Sequence, residues 1–204
     1  MKQHTGMAFL FMLTPVFLFA QRETDPAGSF SVGTRNTISL FSRDDATGVG
    51  IGGQLRVQAS KRINTEWFFD YIPSKNNGYT TKHDHHFGWS VIYYPGATVD
   101  YSNRFQPYIL AGHCIDYSKI TEQKKPTNYA DRWTMATQAG LGTHVNITKD
   151  FDCSLSGQYM LHFGKQINTT IGKDAVTFAK EKGMGPDGHL LFTVSVNYKL
   201  GYVL

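Results

Sequence analysis

From Leu190 to Tyr202 the chain alternates almost without error. Leu190, Phe192, Val194, Val196, Tyr198, Leu200 and Tyr202 take the even positions, with Leu191, Thr193, Ser195, Asn197, Lys199 and Gly201 between them. Successive side chains of a strand point to opposite faces, so this run has one apolar face and one mostly polar face. A helix repeats its apolar positions every three or four residues and does not read this way. A chain built from such runs must form a sheet with two unlike sides.

The pattern recurs along the chain. At 29–40, Phe30, Val32, Ile38 and Leu40 oppose Arg35, Thr37 and Ser39. At 49–60, Val49, Ile51, Leu55, Val57 and Ala59 oppose Gly50, Gly52, Gln54, Arg56 and Gln58. At 65–72, Trp67, Phe69 and Tyr71 oppose Glu66, Phe68 and Asp70, and at 85–94, Phe87, Trp89, Val91 and Tyr93 oppose His86, Gly88 and Ser90. The run at 106–117 is ambiguous in phase, because His113 interrupts Ile109, Ala111 and Ile115, and it predicts a bulge. At 132–146, Trp133, Met135, Ala139, Leu141 and Val145 oppose Thr134, Gln138, Gly140, Gly142 and His144. At 151–163, Phe151, Cys153, Leu155, Tyr159, Leu161 and Phe163 oppose Asp152, Ser154, Ser156, Gln158 and His162. With 190–202 this makes eight strands in a chain of 204 residues, a single-domain, all-β architecture.

The connections differ in length. Those at 61–64 and 147–150 are short, the one at 95–104 is moderate, and the first, 42–48, has seven residues. Those after the third, fifth and seventh strands read as long polar loops. The longest, 164–187, is expected to hold a short helix around 174–181. Short turns at one end and long loops at the other are the sidedness of a membrane barrel.

Alternation alone does not say which face points inward. A soluble lipocalin-like ligand-binding barrel turns its apolar face in. Three features favour the inverse. The polar face consists largely of Gly, Ser, Thr and Gln, small fillers for a narrow interior, and charged residues make up only 18% of the chain. The apolar face carries Trp67, Tyr71, Tyr93, Trp133, Phe151, Phe163, Tyr198 and Tyr202 toward strand ends, as interfacial girdles require. The polar face also mixes Arg35, Arg56 and Arg132 with Glu66, Asp70 and Asp152, a set of lumen charges able to pair. Folding the second and third strands about Arg62 predicts Arg56 close to Glu66 and Asp70. The expected fold is an eight-stranded antiparallel up-and-down transmembrane β-barrel. Eight strands close around side chains and leave no wide pore.

The amino terminus reads as an export signal. Lys2 and His4 precede an apolar run from Met7 to Ala20, followed by Gln21-Arg22-Glu23. We take 1–20 as a signal peptide cleaved after Ala20 and 21–204 as the barrel domain. Beyond it no stretch of about 18 apolar residues remains, so a helical membrane protein is excluded. The net charge of +4 comes with no recognised nucleic-acid motif, so no nucleic-acid partner is expected. Cys114 and Cys153 fall near opposite ends of non-adjacent strands and read as two unpaired small residues.

On these features the chain resembles the small outer-membrane barrels of the OmpA and OmpX type, the porin-like β-barrel domains of Gram-negative cell envelopes. The final run Phe192-Thr-Val-Ser-Val-Asn-Tyr-Lys-Leu200 and the stretch Phe105-Gln-Pro-Tyr-Ile-Leu-Ala-Gly112 carry the likeness, together with the signal, the strand count and the loop sidedness. It departs from the family in ending on Leu204 rather than on an aromatic. The resemblance implies residence in the bacterial outer membrane. It also implies contact with outer-membrane lipid and delivery by the barrel-insertion machinery.

Two constellations bear on chemistry. His83-Asp84-His85-His86 has metal-ligand residue types, but successive strand residues diverge, and the favoured reading is a polar loop base. Some eight-stranded barrels modify lipid A, and the pairs His86 with Ser90 and His162 with Ser156 share the inner face. No family motif surrounds either pair. The expectation is a protein without a cofactor and without catalysis. Its role is structural or surface-interacting, through an extracellular ligand met by loops 118–130 and 164–187. The rival readings are a lipid A-modifying enzyme and the lipocalin-like barrel.

Overall fold

The computed structural model describes residues 26–41, 47–76, 78–96, 102–172 and 175–202. The signal segment 1–20 lies outside the described residues. Eight strands follow in chain order: β1 (Ser29–Phe41), β2 (Thr47–Ser60), β3 (Ile63–Asn76), β4 (Thr80–Tyr93), β5 (Phe105–Glu122), β6 (Tyr129–Asn146), β7 (Phe151–Ile171) and β8 (Val176–Tyr202). Each pairs antiparallel with its sequence neighbour, and β8 pairs back onto β1 to close the barrel. Closure removes the sheet edges, which lipid cannot satisfy.

The apolar face points outward. Phe192, Val194 and Leu155 are 47%, 48% and 48% exposed, whereas Thr193, Ser195 and Asn197 beside them are buried. This overturns the lipocalin-like alternative, which requires the reverse. In β5, Ile109, Ala111, His113 and Ile115 all share the outer face. Its pairings with β4 and β6 run without a register shift, so the bulge expected at His113 is absent. Cys114 points into the lumen and Cys153 lies on the opposite face of the wall; both are free thiols.

The strands run well beyond the alternating segments. β3 and β4 continue to Asn76 and Thr80 and leave a three-residue connection, where Gly78 adopts φ of 72°. The long loop expected at 118–130 shrinks to residues 123–128 between β5 and β6. Within the segment 164–187, the described residues 164–171 and 176–187 extend β7 and β8 as paired strands, with Ile167 opposite Lys180 and Thr170 opposite Thr177. The helix expected around 174–181 is therefore strand from Val176 onward, while Asp174 lies outside the described residues. The reason is physical. Alternation records a side-to-side difference in environment, whereas the ladder needs only backbone pairing. In the extensions the buried face (Thr80, Ser118, Glu122) and the outer face (Thr81, Lys119, Thr121) both carry polar residues, so the hydropathy pattern fades and the pairing persists.

The β7–β8 hairpin also parts from its neighbour. β6 and β7 pair from Asn146↔Asp152 to Met135↔Phe163 and no further. Beyond that point the β5–β6 and β7–β8 hairpins stand apart. They meet again at their tips, where Asn128 Nδ2 donates to the Val176 carbonyl at 2.7 Å.

The core lies inside the cylinder. Phe68, Ile72, Cys114, Ala136, Met160 and Leu191 form one buried apolar cluster, and Ile92, Tyr94, Tyr108 and Leu110 another. The expected lining of small polar residues thus holds for only part of the lumen. The bulky members fit because glycine faces them. A Cβ on Gly88 would lie 2.0 Å from the Phe68 ring, and one on Gly142 would lie 2.4 Å from the Tyr108 ring. Pairing large with absent side chains across neighbouring strands lets these rings fit a narrow cylinder.

Candidate functional site in the barrel lumen

Inward positions of β1, β2 and β3 supply one ionic cluster. Arg35 Nη1 lies 2.7 Å from Glu66 Oε1, and Arg35 Nε lies 3.0 Å from Asp70 Oδ1. Arg35 Nη1 also donates to Gln54 Oε1 at 3.2 Å, and its guanidinium carbon stacks 4.3 Å from the Phe68 ring centre. Strand folding does set Arg56 directly across the ladder from Glu66, but the hydrogen-bonded cation of Glu66 and Asp70 is Arg35. Arg35 fits over Asp70 because Gly52 lies opposite: a Cβ there would sit 2.4 Å from Asp70 Oδ1.

Arg56 joins a second cluster, nearer the short turns. Its Nη2 lies 2.8 and 2.7 Å from the two oxygens of Asp152, across the lumen on β7. Arg56 Nε donates to Ser31 Oγ at 3.2 Å, and Arg56 Nη1 lies 2.9 Å from His144 Nδ1. Asn197 Nδ2 adds a bond to Asp152 Oδ1 at 3.0 Å, and Tyr94 Oη meets His144 Nε2 at 2.9 Å. Buried ions survive in a low-dielectric interior only when paired and hydrogen-bonded, and both arginines meet that condition. Arg132, the remaining cation of the expected set, lies toward the parted hairpins, 4.0 Å from Asp187.

The His83–His86 run does not converge. Asp84 and His86 are buried inward, while His83 and His85 lie on the other face. His83 meets the Tyr71 hydroxyl at 2.6 Å, and His85 packs against Tyr71 and Tyr117. Asp84 pairs with Lys82 at 3.0 Å and accepts from Ser118 Oγ at 2.5 Å. Among the described residues, no group of three or more His, Cys, Asp and Glu is arranged to hold a metal ion.

His86 instead enters a cluster that the sequence reading missed. Its ring stacks on His189 at 5.8 Å between centres, and His162 lies 4.7 Å from His189. Asp116 sits among them, with Oδ2 2.5 Å from His162 Nδ1 and Oδ1 3.8 Å from His86 Nε2. Cys114 Sγ donates to Asp116 Oδ1 at 2.9 Å. One signal was available for His189. Carrying the odd-position phase of β8 back by one step from Leu191 places it inside. Asp116 was hidden by the ambiguous phase of β5.

The serines proposed beside histidines have other partners. Ser90 Oγ accepts from Gln138 Nε2 at 2.7 Å. Among the described residues, no hydrogen bond joins His86 to Ser90 or His162 to Ser156.

No protein-family model and no curated protein matches the chain in sequence. Solved structures do match it in fold. A major outer membrane protein from Thermus thermophilus superposes with a TM-score of 0.57 at 8% identity, covering 84% of this chain and 98% of that one. Neisserial surface protein A superposes with a TM-score of 0.55 at 14% identity, covering 84% and 96%. The N-terminal β-barrel domain of Pseudomonas aeruginosa OprF gives 0.53 at 14% identity, covering 85% and 98%. The chain has the fold of the small outer-membrane β-barrels of the OmpA and OmpX type.

Proposed function

We propose that this chain is an integral outer-membrane barrel with a structural or surface-interaction role, its lumen filled by side chains and no wide pore through it. The observation that carries the reading is the contrast between wall and interior. Leu155, Val194 and Phe192 stand bare on the outside, while Arg35 and Arg56 are 3% and 4% exposed within. Water would leave the outer wall as a continuous apolar patch, and lipid satisfies it. The arginine clusters and the two apolar clusters occupy the path that a solute would take.

In this reading the signal at 1–20 exports the chain, the insertion machinery delivers it, and the short turns face the periplasm. The β5–β6 and β7–β8 hairpins then stand outside the cell and meet any extracellular ligand. The test has two parts. The protein, fractionated from cells, should require detergent for extraction and change its gel mobility on boiling. Purified barrel in planar bilayers should give no sustained conductance steps. Extraction by salt alone would overturn membrane residence, and stable open channels would overturn the plugged lumen. An unaltered lipid A mass spectrum in a deletion strain would count against the enzyme reading, and a changed one would revive it.

A further inference from the structure

The parting of β6 from β7 leaves a window in the barrel rim, and a cavity of about 440 Å³ fills it. Arg132 of β6 and Gln166 of β7 line it from opposite sides. The Arg132 side chain is 9% exposed, and Gln166 is 3% exposed. Arg132 Nη1 and Gln166 Nε2 are both buried, and among the described residues neither has a hydrogen-bond partner. A guanidinium has five N–H donors and an amide nitrogen two, and neither nitrogen accepts. Leaving such donors unmet in a buried place is costly, and native structures supply them with water, an ion or a ligand.

The deficit is specific in sign: both unmet groups are donors. Lys82 lines the same cavity and pairs with Asp84 at 3.0 Å. Among the described residues Asp187 provides the one carboxylate on the lining, and at 4.0 Å from Arg132 it is too far to saturate the guanidinium by hydrogen bonding. Asn168 and Thr170 add neutral polar groups.

We propose that this window binds a small, hydroxyl-rich solute bearing a phosphate group. Arg132 and Gln166 take the phosphate oxygens, the guanidinium in the forked geometry that suits them. Asp187 accepts from a hydroxyl of the same molecule, and Asn168 and Thr170 meet the others. The bridge from Asn128 to Val176 closes the outer end, so the ligand enters below the hairpin tips. The same chemistry is carried by a free sugar phosphate and by a phosphorylated sugar headgroup anchored in the membrane. The site deepens the proposed surface role and rests on that reading, because it lies on the hairpins assigned to ligand contact.

The test uses the full barrel refolded in nanodiscs of zwitterionic lipid, titrated with glucose 1-phosphate and, as a neutral control, glucose. Binding of the phosphate and not of glucose is expected. R132Q and Q166E should each weaken it at least tenfold, the second by placing a carboxylate where an amide donor stood. Heat-modifiable mobility identifies variants that remain folded, and Q166E preserves side-chain size if R132Q fails to fold. A second arm adds a phosphorylated glucosamine lipid to the nanodiscs. Competition with the soluble ligand identifies the membrane-borne source, and unchanged soluble binding identifies the free one. Absence of glucose 1-phosphate binding, or equal affinity in wild type and folded variants, would overturn the proposal. Because the barrel is tested after refolding, this failure is separable from a failure of the cellular localisation.

Discussion

Arg35 and Asp70 lie on strands that are not neighbours, yet Nε and Oδ1 meet at 3.0 Å inside the barrel. β2 stands between them, and it yields the space through Gly52. The contact therefore joins three strands through one absent side chain. It also explains why Glu66 is held by Arg35, although Glu66 stands directly across the ladder from Arg56.

Removing Arg35 should be far costlier than removing the whole cluster. Arg35→Met leaves Glu66 and Asp70 buried without their cation, at a cost of about 3–5 kcal/mol. Arg35→Met with Glu66→Gln and Asp70→Asn should recover much of that loss. Urea unfolding of the refolded barrel measures both. A single substitution costing no more than the triple one would refute the paired-charge account.

Gly88 is held free of a side chain by Phe68. Gly88→Val should destabilise the barrel by about 1–3 kcal/mol through overpacking. Phe68→Ala in the same chain should relieve part of the new clash, giving a non-additive double-mutant cycle. Strict additivity of the two effects would show that the ring and the glycine do not meet.

Val194 and Thr193 are adjacent but face different media. Val194→Arg places a cation on the lipid side, where the cost is about 2–4 kcal/mol near mid-membrane. Thr193→Val removes only the inner hydroxyl contact with Thr37, at 3.2 Å, and should cost about 1 kcal/mol. Refolding yields and unfolding midpoints in lipid compare them. A reversed order would invert the barrel.

Cys114 is 1% exposed, inside the lumen, and its thiol donates to Asp116. A water-soluble maleimide should leave Cys114 unlabelled in the folded barrel and label it fully after denaturation, as read by peptide mass. Rapid labelling of the folded protein would reveal a lumen open to solutes of that size.

Much of the wall was legible in the sequence because lipid and lumen impose opposite demands on alternate residues. Phe151 to Phe163 and Leu190 to Tyr198 read correctly in face and phase. β5 did not, since His113 sits on the outer face beside Trp89, where a polar ring contradicts the pattern. The hairpin extensions were also illegible, as polar residues stand on both of their faces, Ser118 and Glu122 buried and Lys119 and Thr121 on the other side.

The candidate site was legible only as an inventory. Arg35, Arg56, Glu66, Asp70 and Asp152 could be placed on the inner face one by one. Their partners depend on barrel curvature, which sets β7 across from β2 and lets β1 reach β3. The histidine cluster draws its members from β4, β5, β7 and β8, so strand-by-strand periodicity does not assemble it.

Periodicity in the chain fixed which strands alternate and which side chains share a face, and the make-up of the two faces, small polar fillers and pairable charges against girdle aromatics, pointed the apolar one outward. The alternation arises because the side-chain direction of a strand reverses at every residue. Which inner charges meet, where glycine admits a ring and where β6 and β7 separate emerged with the closed barrel. Those depend on register and closure, which bring together residues as far apart in the chain as Arg56 and Asp152, 96 positions from each other.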